Sequence, residues 1–254
     1  MSSELVLLSV ADSVATISFN RPEKLNAMGV GSEPALKAAL TEVAERDDVN
    51  AVVLTGEGRA FNVGLDLESP FGGDVAETYQ RMRASTATVM LMRRMRQPII
   101  AAVNGNAIGG GFAMALACDM RIAGRDARFV APFAELGMSA GDLGMTWLLP
   151  RMIGPGRAAK AFYTGEPIRA DEARELGLAD EVVEDPRGRA LEIAKVIASK
   201  PPFGIQHSKE LLNASVYGQG FFEHLEVELR SQVVCSASSD FHEAKARFAA
   251  ARRP

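Results

Sequence analysis

Three consecutive glycines, Gly109-Gly110-Gly111, stand between an apolar run ending at Ile108 and a helix-like run, Phe112–Cys118. Glycine lets the backbone take positive φ and approach a ligand closely. The first N–H groups of a following helix lack intrahelical partners and sit at the positive end of its dipole. Such a turn can bind phosphate or stabilise an oxyanion, or it can be a tight strand–helix turn with no ligand. It is not a nucleotide fingerprint, because GxGxxG spacing and a Walker lysine are both absent. A second glycine-bearing turn, Phe61-Asn62-Val63-Gly64-Leu65-Asp66, offers another backbone donor. Two such donors on one oxygen are what an enolate-forming or acyl-transfer site requires.

The elements around these turns follow from pattern. Leu5–Val10 and Val14–Phe19 are β-rich and separated by Ala11-Asp12-Ser13, which reads as a hairpin. Arg21-Pro22-Glu23-Lys24 breaks the strand, since proline cannot continue a central ladder. A helix is predicted from about Ser32 to Arg46, with Leu36, Ala39, Leu40 and Val43 on one face. The strand Ala51–Leu54 then ends at Thr55-Gly56-Glu57-Gly58, and Ser69–Gly73 reads as a mobile loop. A helix from about Glu77 to Met95 leads through Pro98 to the strand Ile99–Val103 and on to the triplet. Strand, glycine turn and helix thus occur twice, which predicts repeated ββα units packed as layers. Beyond Pro150 the segments Arg157–Tyr163, Ala170–Leu176, Arg187–Ala198, Gly204–Ser215, Gly220–Val234 and Asp240–Ala250 are helix-like. Amphipathic helices in series need a surface to cover, and an oligomer interface is the expectation.

The chain has 254 residues with 47% apolar and 24% charged, the profile of an ordinary globular protein. A net charge of −4 without basic clusters argues against nucleic acid or an anionic membrane as partner. No apolar run is long enough to span a bilayer, and Met1-Ser2-Ser3-Glu4 does not begin a signal peptide. Cys118 and Cys235 lack CxxC spacing and read as reduced, buried thiols of a cytoplasmic protein. His207, His224 and His242 lack metal-ligand spacing, and neither metal nor separate cofactor is expected. All three histidines are read as surface or interface residues of the helical tail.

Taken together, several short motifs carry a resemblance that none carries alone. They are Asn20–Met28, Val52-Val53-Leu54-Thr55-Gly56, Gly64-Leu65-Asp66-Leu67, Pro98–Gly105, the glycine-triplet helix and Cys118-Asp119. Leu149-Pro150-Arg151, Thr164-Gly165, Ala170-Asp171-Glu172-Ala173 and Gly177-Leu178 before Val182-Val183 extend the likeness through most of the chain. The sequence resembles the crotonase superfamily, whose enoyl-CoA hydratases and isomerases bind acyl-CoA thioesters.

The resemblance implies an α/β fold, a spiral of repeated ββα units with a C-terminal helical region used for trimerisation. It divides the chain into a core at 1–197 bearing the acyl-CoA site and a helical oligomerisation region at 198–254. The oxyanion hole would be the N–H groups of Leu65 and Gly110. CoA would run past Lys24 and Ala27, with Lys24 either a phosphate partner or a solvated loop lysine. Val63, Gly64, Asp66 and Leu67, with Asn106, Ile108 and Gly109, would line the channel for acyl chain and pantetheine. Pro132, Phe133 and Met138 would close the acyl pocket.

Hydration of an enoyl thioester needs two carboxylates flanking one water. Where the family carries them, two residues after the last glycine and directly after a proline, this chain has Ala113 and Phe133. Asp142 is the best candidate acid, at a place where related dienoyl-CoA isomerases and a dehalogenase carry aspartate. An apolar, glycine-lined pocket would raise its pKa; alternatively it caps the helix starting near Leu143. Glu135 and Glu68 are weaker candidates, Asp66 is read as holding its own turn, and Asp119 as a structural acid. Phe133 and Trp147 are read as packing.

Isomerisation needs one acid/base group and therefore fits these residues better than hydration. Two other readings stay open: an acyl-CoA carrier without catalysis, or a thioester hydrolase or decarboxylase on the same enolate-stabilising pocket. A homotrimer or dimer of trimers is implied by the resemblance alone.

Overall fold

The computed structural model describes residues 4–69, 74–216, 218 and 220–250. Residues 70–73 of the loop expected at Ser69–Gly73 lie outside them. The chain begins with β1 (Val6–Ala11), β2 (Val14–Phe19) and α1 (Ser32–Glu45). Asp12 and Ser13 at φ 53° and 60° make the two-residue hairpin turn, whose handedness matches the strand twist. Next come β3 (Ala51–Gly56), β4 (Ala60–Asn62) and α2 (Val75–Arg94), then β5 (Ile99–Val103), β6 (Asn106–Ile108) and α3 (Gly110–Ala117). β7 (Met120–Gly124), β8 (Arg128–Val130) and α4 (Met145–Ile153) form a further set. The expected ββα repeat therefore recurs once more than the sequence pattern reveals. Irregular chain between β8 and α4 hides it.

In the three repeats from β3 to α4 the first strand joins one sheet and the second strand joins another, whereas β1 and β2 share a sheet. The larger sheet has the order β1-β2-β3-β5-β7-β10, with β10 at Glu181–Val183. Apart from the β1–β2 hairpin its pairs are parallel. The smaller sheet runs β4-β6-β8-β9, with β9 at Ile168–Arg169. Parallel pairing of β4 with β6 puts their C-terminal ends side by side. The two glycine turns follow those ends directly, so the repeat itself brings them together.

Central parallel strands are buried on both faces, hence their unbroken apolar runs. Successive side chains alternate between the faces. Ile17, Leu54, Ile99, Ala101 and Val103 pack into the main core with Leu36, Leu40, Phe112 and Met114. Val53, Ile100, Ala102 and Ile122 pack on the other face against Ala190 and Ala194. Those two alanines belong to α7 (Pro186–Ala198). The expectation that the helices beyond Pro150 cover another surface is thus corrected for part of the series. Both α5 (Pro155–Thr164) and α7 bury apolar residues against the chain's own core. α4 runs through Pro150, anchored by buried Leu148, Leu149 and Ile153.

After α6 (Ala170–Glu175) and α7 come α8 (Pro202–Val216), α9 (Phe221–Ser236) and α10 (Ser239–Ala250). Lys209 fastens α8 to the core. Its buried ammonium donates to the carbonyls of Met92 (3.1 Å) and Gln97 (2.8 Å) and lies 3.0 Å from Asp119. Asp119 also accepts the Ile99 N–H at 2.7 Å, which makes it a structural acid. Lys209→Met leaves those acceptors short of a donor, and removing one member of a buried pair costs about 3–5 kcal/mol. The expected result is a lowered urea midpoint, with amides of α8 losing protection against hydrogen exchange first.

Candidate active site

Gly109 is the N-cap of α3 at φ 53° and ψ −118°, a conformation that favours glycine. Its N–H donates to Val130 O at 2.9 Å, which ties the turn to β8. Gly110 and Gly111 are the first two helical residues, so their N–H groups are among the unpaired donors of the first turn. A Cβ on Gly111 would stand 2.1 Å from Asn62 O, so only glycine lets α3 settle on β4.

The other turn meets this helix through bare backbone. At Gly64 φ is +80°, and a Cβ there would lie 2.7 Å from Ile108 O and 3.2 Å from Gly110 N. Leu65 forms a parallel bridge with Met28: Met28 N–H donates to Gly64 O (2.7 Å) and Asp66 N–H to Met28 O (3.1 Å). Peptide directions alternate along an extended chain, so the N–H of Leu65 faces away from Met28. Its side chain points outward and is 36% exposed.

Asp142 lies on the same spot. Its Oδ2 is 4.0 Å from the place a Cβ on Gly110 would occupy, with Leu143 Cδ1 at 3.8 Å and Met28 Cε at 3.3 Å. Its Oδ1 is buried and has no hydrogen-bond partner among the described residues. Burial pushes the carboxyl above its ordinary pKa. The capping alternative is corrected: α4 starts at Met145, its N-cap is Gly144, and no side chain caps it. Only the Asp142 backbone carbonyl serves the turn, accepting Met145 N–H at 2.8 Å. Leu143 is held at φ 48°, an uncommon conformation for a branched residue and one that keeps company with functional sites.

The remaining expected residues divide plainly. Asp66 holds its turn: Oδ2 accepts from Arg21 at 2.9 Å and Oδ1 from Glu68 N–H at 3.1 Å. Arg21 keeps its carboxyl below the ordinary range, so it is ionised and occupied. Lys24 pairs with Glu68 at the rim, near buried Ala27. Val63 is half-buried in its turn, Asn106 and Ile108 are half-buried on β6, and Leu67 is exposed. Ala113 and Phe133 are buried in the main core, where neither can move a proton. Pro132 is half-buried, and Met138 lies on an exposed stretch tied by its N–H to Phe133 O. Glu135 is exposed and directed toward Gly165 instead of Gly110. Trp147 is 41% exposed and carries the Arg151 guanidinium 3.4 Å over its ring, so it is not a core residue. Cys118 is buried, its thiol pushed up to about 12 by desolvation, whereas Cys235 is only half-buried.

Three neighbours escaped the sequence reading. Met28 and Leu143 line the Gly110 position, and the side chain of Asn62 holds Gly64. Only the last left a signal: Asn two residues before Gly is an Asx-turn pattern. Leu143 also borders a cavity of about 690 Å³ between α2, α4 and α8. Val89, Met90, Met95, Trp147 and Leu148 give it a largely apolar lining. Among the described residues no helix is long and apolar enough to cross a membrane.

The model of the enoyl-CoA hydratase/isomerase family matches residues 9–254. A Mycobacterium tuberculosis protein named probable enoyl-CoA hydratase EchA12 is 36% identical over 95% of this chain and 88% of its own length. The 1,2-epoxyphenylacetyl-CoA isomerase of Escherichia coli is 34% identical over 99% of this chain and 97% of its own. The crystal structure of an enoyl-CoA hydratase from Bacillus anthracis superposes with a TM-score of 0.92 at 32% identity, covering 98% of each chain. With two sheets of ββα repeats of the same construction, the chain belongs to the enoyl-CoA hydratase/isomerase family of acyl-CoA-processing enzymes.

Proposed function

We propose that the protein isomerises acyl-CoA thioesters through an enolate, with the N–H groups of Leu65 and Gly110 as oxyanion hole and Asp142 as the single proton carrier. The Asp142 carboxylate takes a proton from the α-carbon of a 3-enoyl thioester, and the C–H electrons move into the thioester as an enolate conjugated with the double bond. Negative charge gathers on the oxygen facing the two donors. Returning the proton to the γ-carbon shifts the double bond, and nothing is consumed. Each donor contributes about 3 kcal/mol to such a transition state.

The observation that carries this reading is the unpartnered, buried Asp142 oxygen beside Gly110. A half-buried acid with a buried oxygen that no structural partner satisfies is a functional candidate. Hydration would need a second carboxylate at Ala113 or Phe133. The E. coli relative is named as an isomerase of another CoA thioester, 1,2-epoxyphenylacetyl-CoA.

CoA is read as entering past Lys24 and Ala27, its phosphates competing with Glu68 for the lysine. The turns at Val63–Leu67 and Asn106–Gly110 would flank the thioester, and the cavity beyond Leu143 would receive the acyl tail, beside Pro132, Phe133 and Met138. Leu143→Trp is then expected to cut turnover of eight-carbon and longer acyl-CoAs by about tenfold while sparing four-carbon ones. Equal losses at every chain length would remove the tail from that cavity.

Residues 198–254 are proposed as the oligomerisation region of a cytoplasmic homotrimer or dimer of trimers. On α9, Phe221, Leu225, Leu229 and Val233 recur at helical spacing, are all exposed, and α9 buries no residue. Solution mass tests this. The reaction itself is tested by incubating saturated, 2-enoyl and 3-enoyl CoA thioesters in deuterated water. Exchange at the α-carbon with double-bond migration is expected; tight binding without exchange would make the protein a carrier, and CoA release a hydrolase.

A further inference from the structure

We infer that Asn62 is the positioning residue that fixes the spacing and direction of the two oxyanion-hole donors; the inference rests on the oxyanion reading above. Asn62 closes β4, is fully buried, and stands two residues before Gly64. Its Oδ1 accepts the Gly64 N–H at 2.8 Å. That bond orients the Gly64 peptide, and the next peptide nitrogen belongs to Leu65.

The same side chain lies against the helix turn that carries the other donor. A Cβ on Gly111 would meet Asn62 Oδ1 at 2.7 Å, in addition to Asn62 O at 2.1 Å. The amide oxygen is therefore wedged between the turn that carries Leu65 and the helix turn that carries Gly110. Gly64 and Gly111 are the bare backbone positions that admit it from the two sides. Meanwhile Asn62 Nδ2 is buried and has no partner among the described residues. A buried amide with half its hydrogen-bonding capacity unused is costly, and calls for a reason. The acceptor oxygen supplies one: no apolar residue could hold Gly64 N–H at this point.

The test uses the full-length protein with hexanoyl-CoA carrying ¹³C at the thioester carbonyl, read by isotope-edited difference infrared spectroscopy. In the wild type the bound carbonyl stretch is expected below that of free hexanoyl-CoA, because hydrogen bonds polarise it. In Asn62→Ala the shift is expected to shrink to about half, as one of two donors turns away, while affinity changes less than about threefold. Asn62→Ser, whose hydroxyl can still accept from Gly64 N–H, is expected to restore most of the shift. Asn62→Cys, equal in shape to serine but a weak acceptor, is expected to resemble alanine, and this pair decides the matter should Asn62→Ala not fold. A wild-type shift retained in alanine, or equal in serine and cysteine, overturns the role of Asn62. A wild-type carbonyl with no shift, or no bound carbonyl at all, overturns the oxyanion hole itself.

Discussion

Asp142→Asn is expected to slow α-proton exchange by about 10²–10⁴-fold, the span that general acid–base catalysis contributes, with acyl-CoA affinity nearly unchanged. Asparagine keeps the shape beside Gly110 but cannot accept a proton. Because burial raises the Asp142 pKa, the ionised base is the form that the folded protein disfavours. The rate is expected to fall as pH drops through that raised pKa, giving an acid limb above the ordinary carboxylate range. The same shift fixes the sign of a stability effect. A carboxyl whose folded pKa exceeds its unfolded value binds more protons when folded, so stability declines as pH rises between the two values. Asp142→Asn removes that penalty and is expected to raise the melting temperature at neutral pH, with the gain vanishing below the unfolded carboxylate pKa. A variant that loses activity but gains stability marks a residue kept for chemistry. Unchanged exchange in Asp142→Asn would move the proton carrier elsewhere.

Much of the fold was legible because its periodicities are local. The unbroken apolar run Ile99–Val103 announces a strand buried on both faces, and Leu36, Ala39, Leu40 and Val43 announce the inner face of α1. The two glycine turns were visible as composition. Their meeting followed only from the family resemblance, since it depends on β4 pairing beside β6 across about forty-five residues, which no local pattern encodes. The freedom of Asp142 from capping duty was not visible. An acid just before a helix looks like an N-cap in any sequence; here Leu143 takes positive φ, Gly144 becomes the cap, and the carboxyl turns toward Gly110. The cavity wall escaped for the same reason, because Met90, Leu143 and Trp147 converge from different elements.

The adjacent glycines of the triplet separate what folding needs from what chemistry needs. Gly111→Ala would place a methyl group 2.1 Å from Asn62 O and 2.7 Å from its carbonyl carbon. Both are backbone atoms of β4, in the middle of the core, so neither can swing aside. Relief requires α3 to lift from the smaller sheet, opening the contacts of Phe112 and Met114 beneath it. The expected loss is about 4 kcal/mol or more, among the largest single-residue effects, read as a collapsed urea midpoint. At Gly110 the added methyl would meet Met28 Cε at 3.3 Å, Leu143 Cδ1 at 3.8 Å and Asp142 Oδ2 at 4.0 Å, all ends of side chains. Here the fold should tolerate alanine, which is favoured over glycine within a helix by about 1 kcal/mol. The methyl points toward the Asp142 carboxylate, into the space where the proposed mechanism seats the α-carbon of the thioester. Gly110→Ala is therefore expected to retain wild-type stability and lose about 10²-fold in α-proton exchange, the scale that a displacement of about 1 Å imposes on a reacting group. Should Gly110→Ala exchange protons at the wild-type rate, the thioester does not lie between Gly110 and Asp142, and the pocket has to be sought on another face of α3.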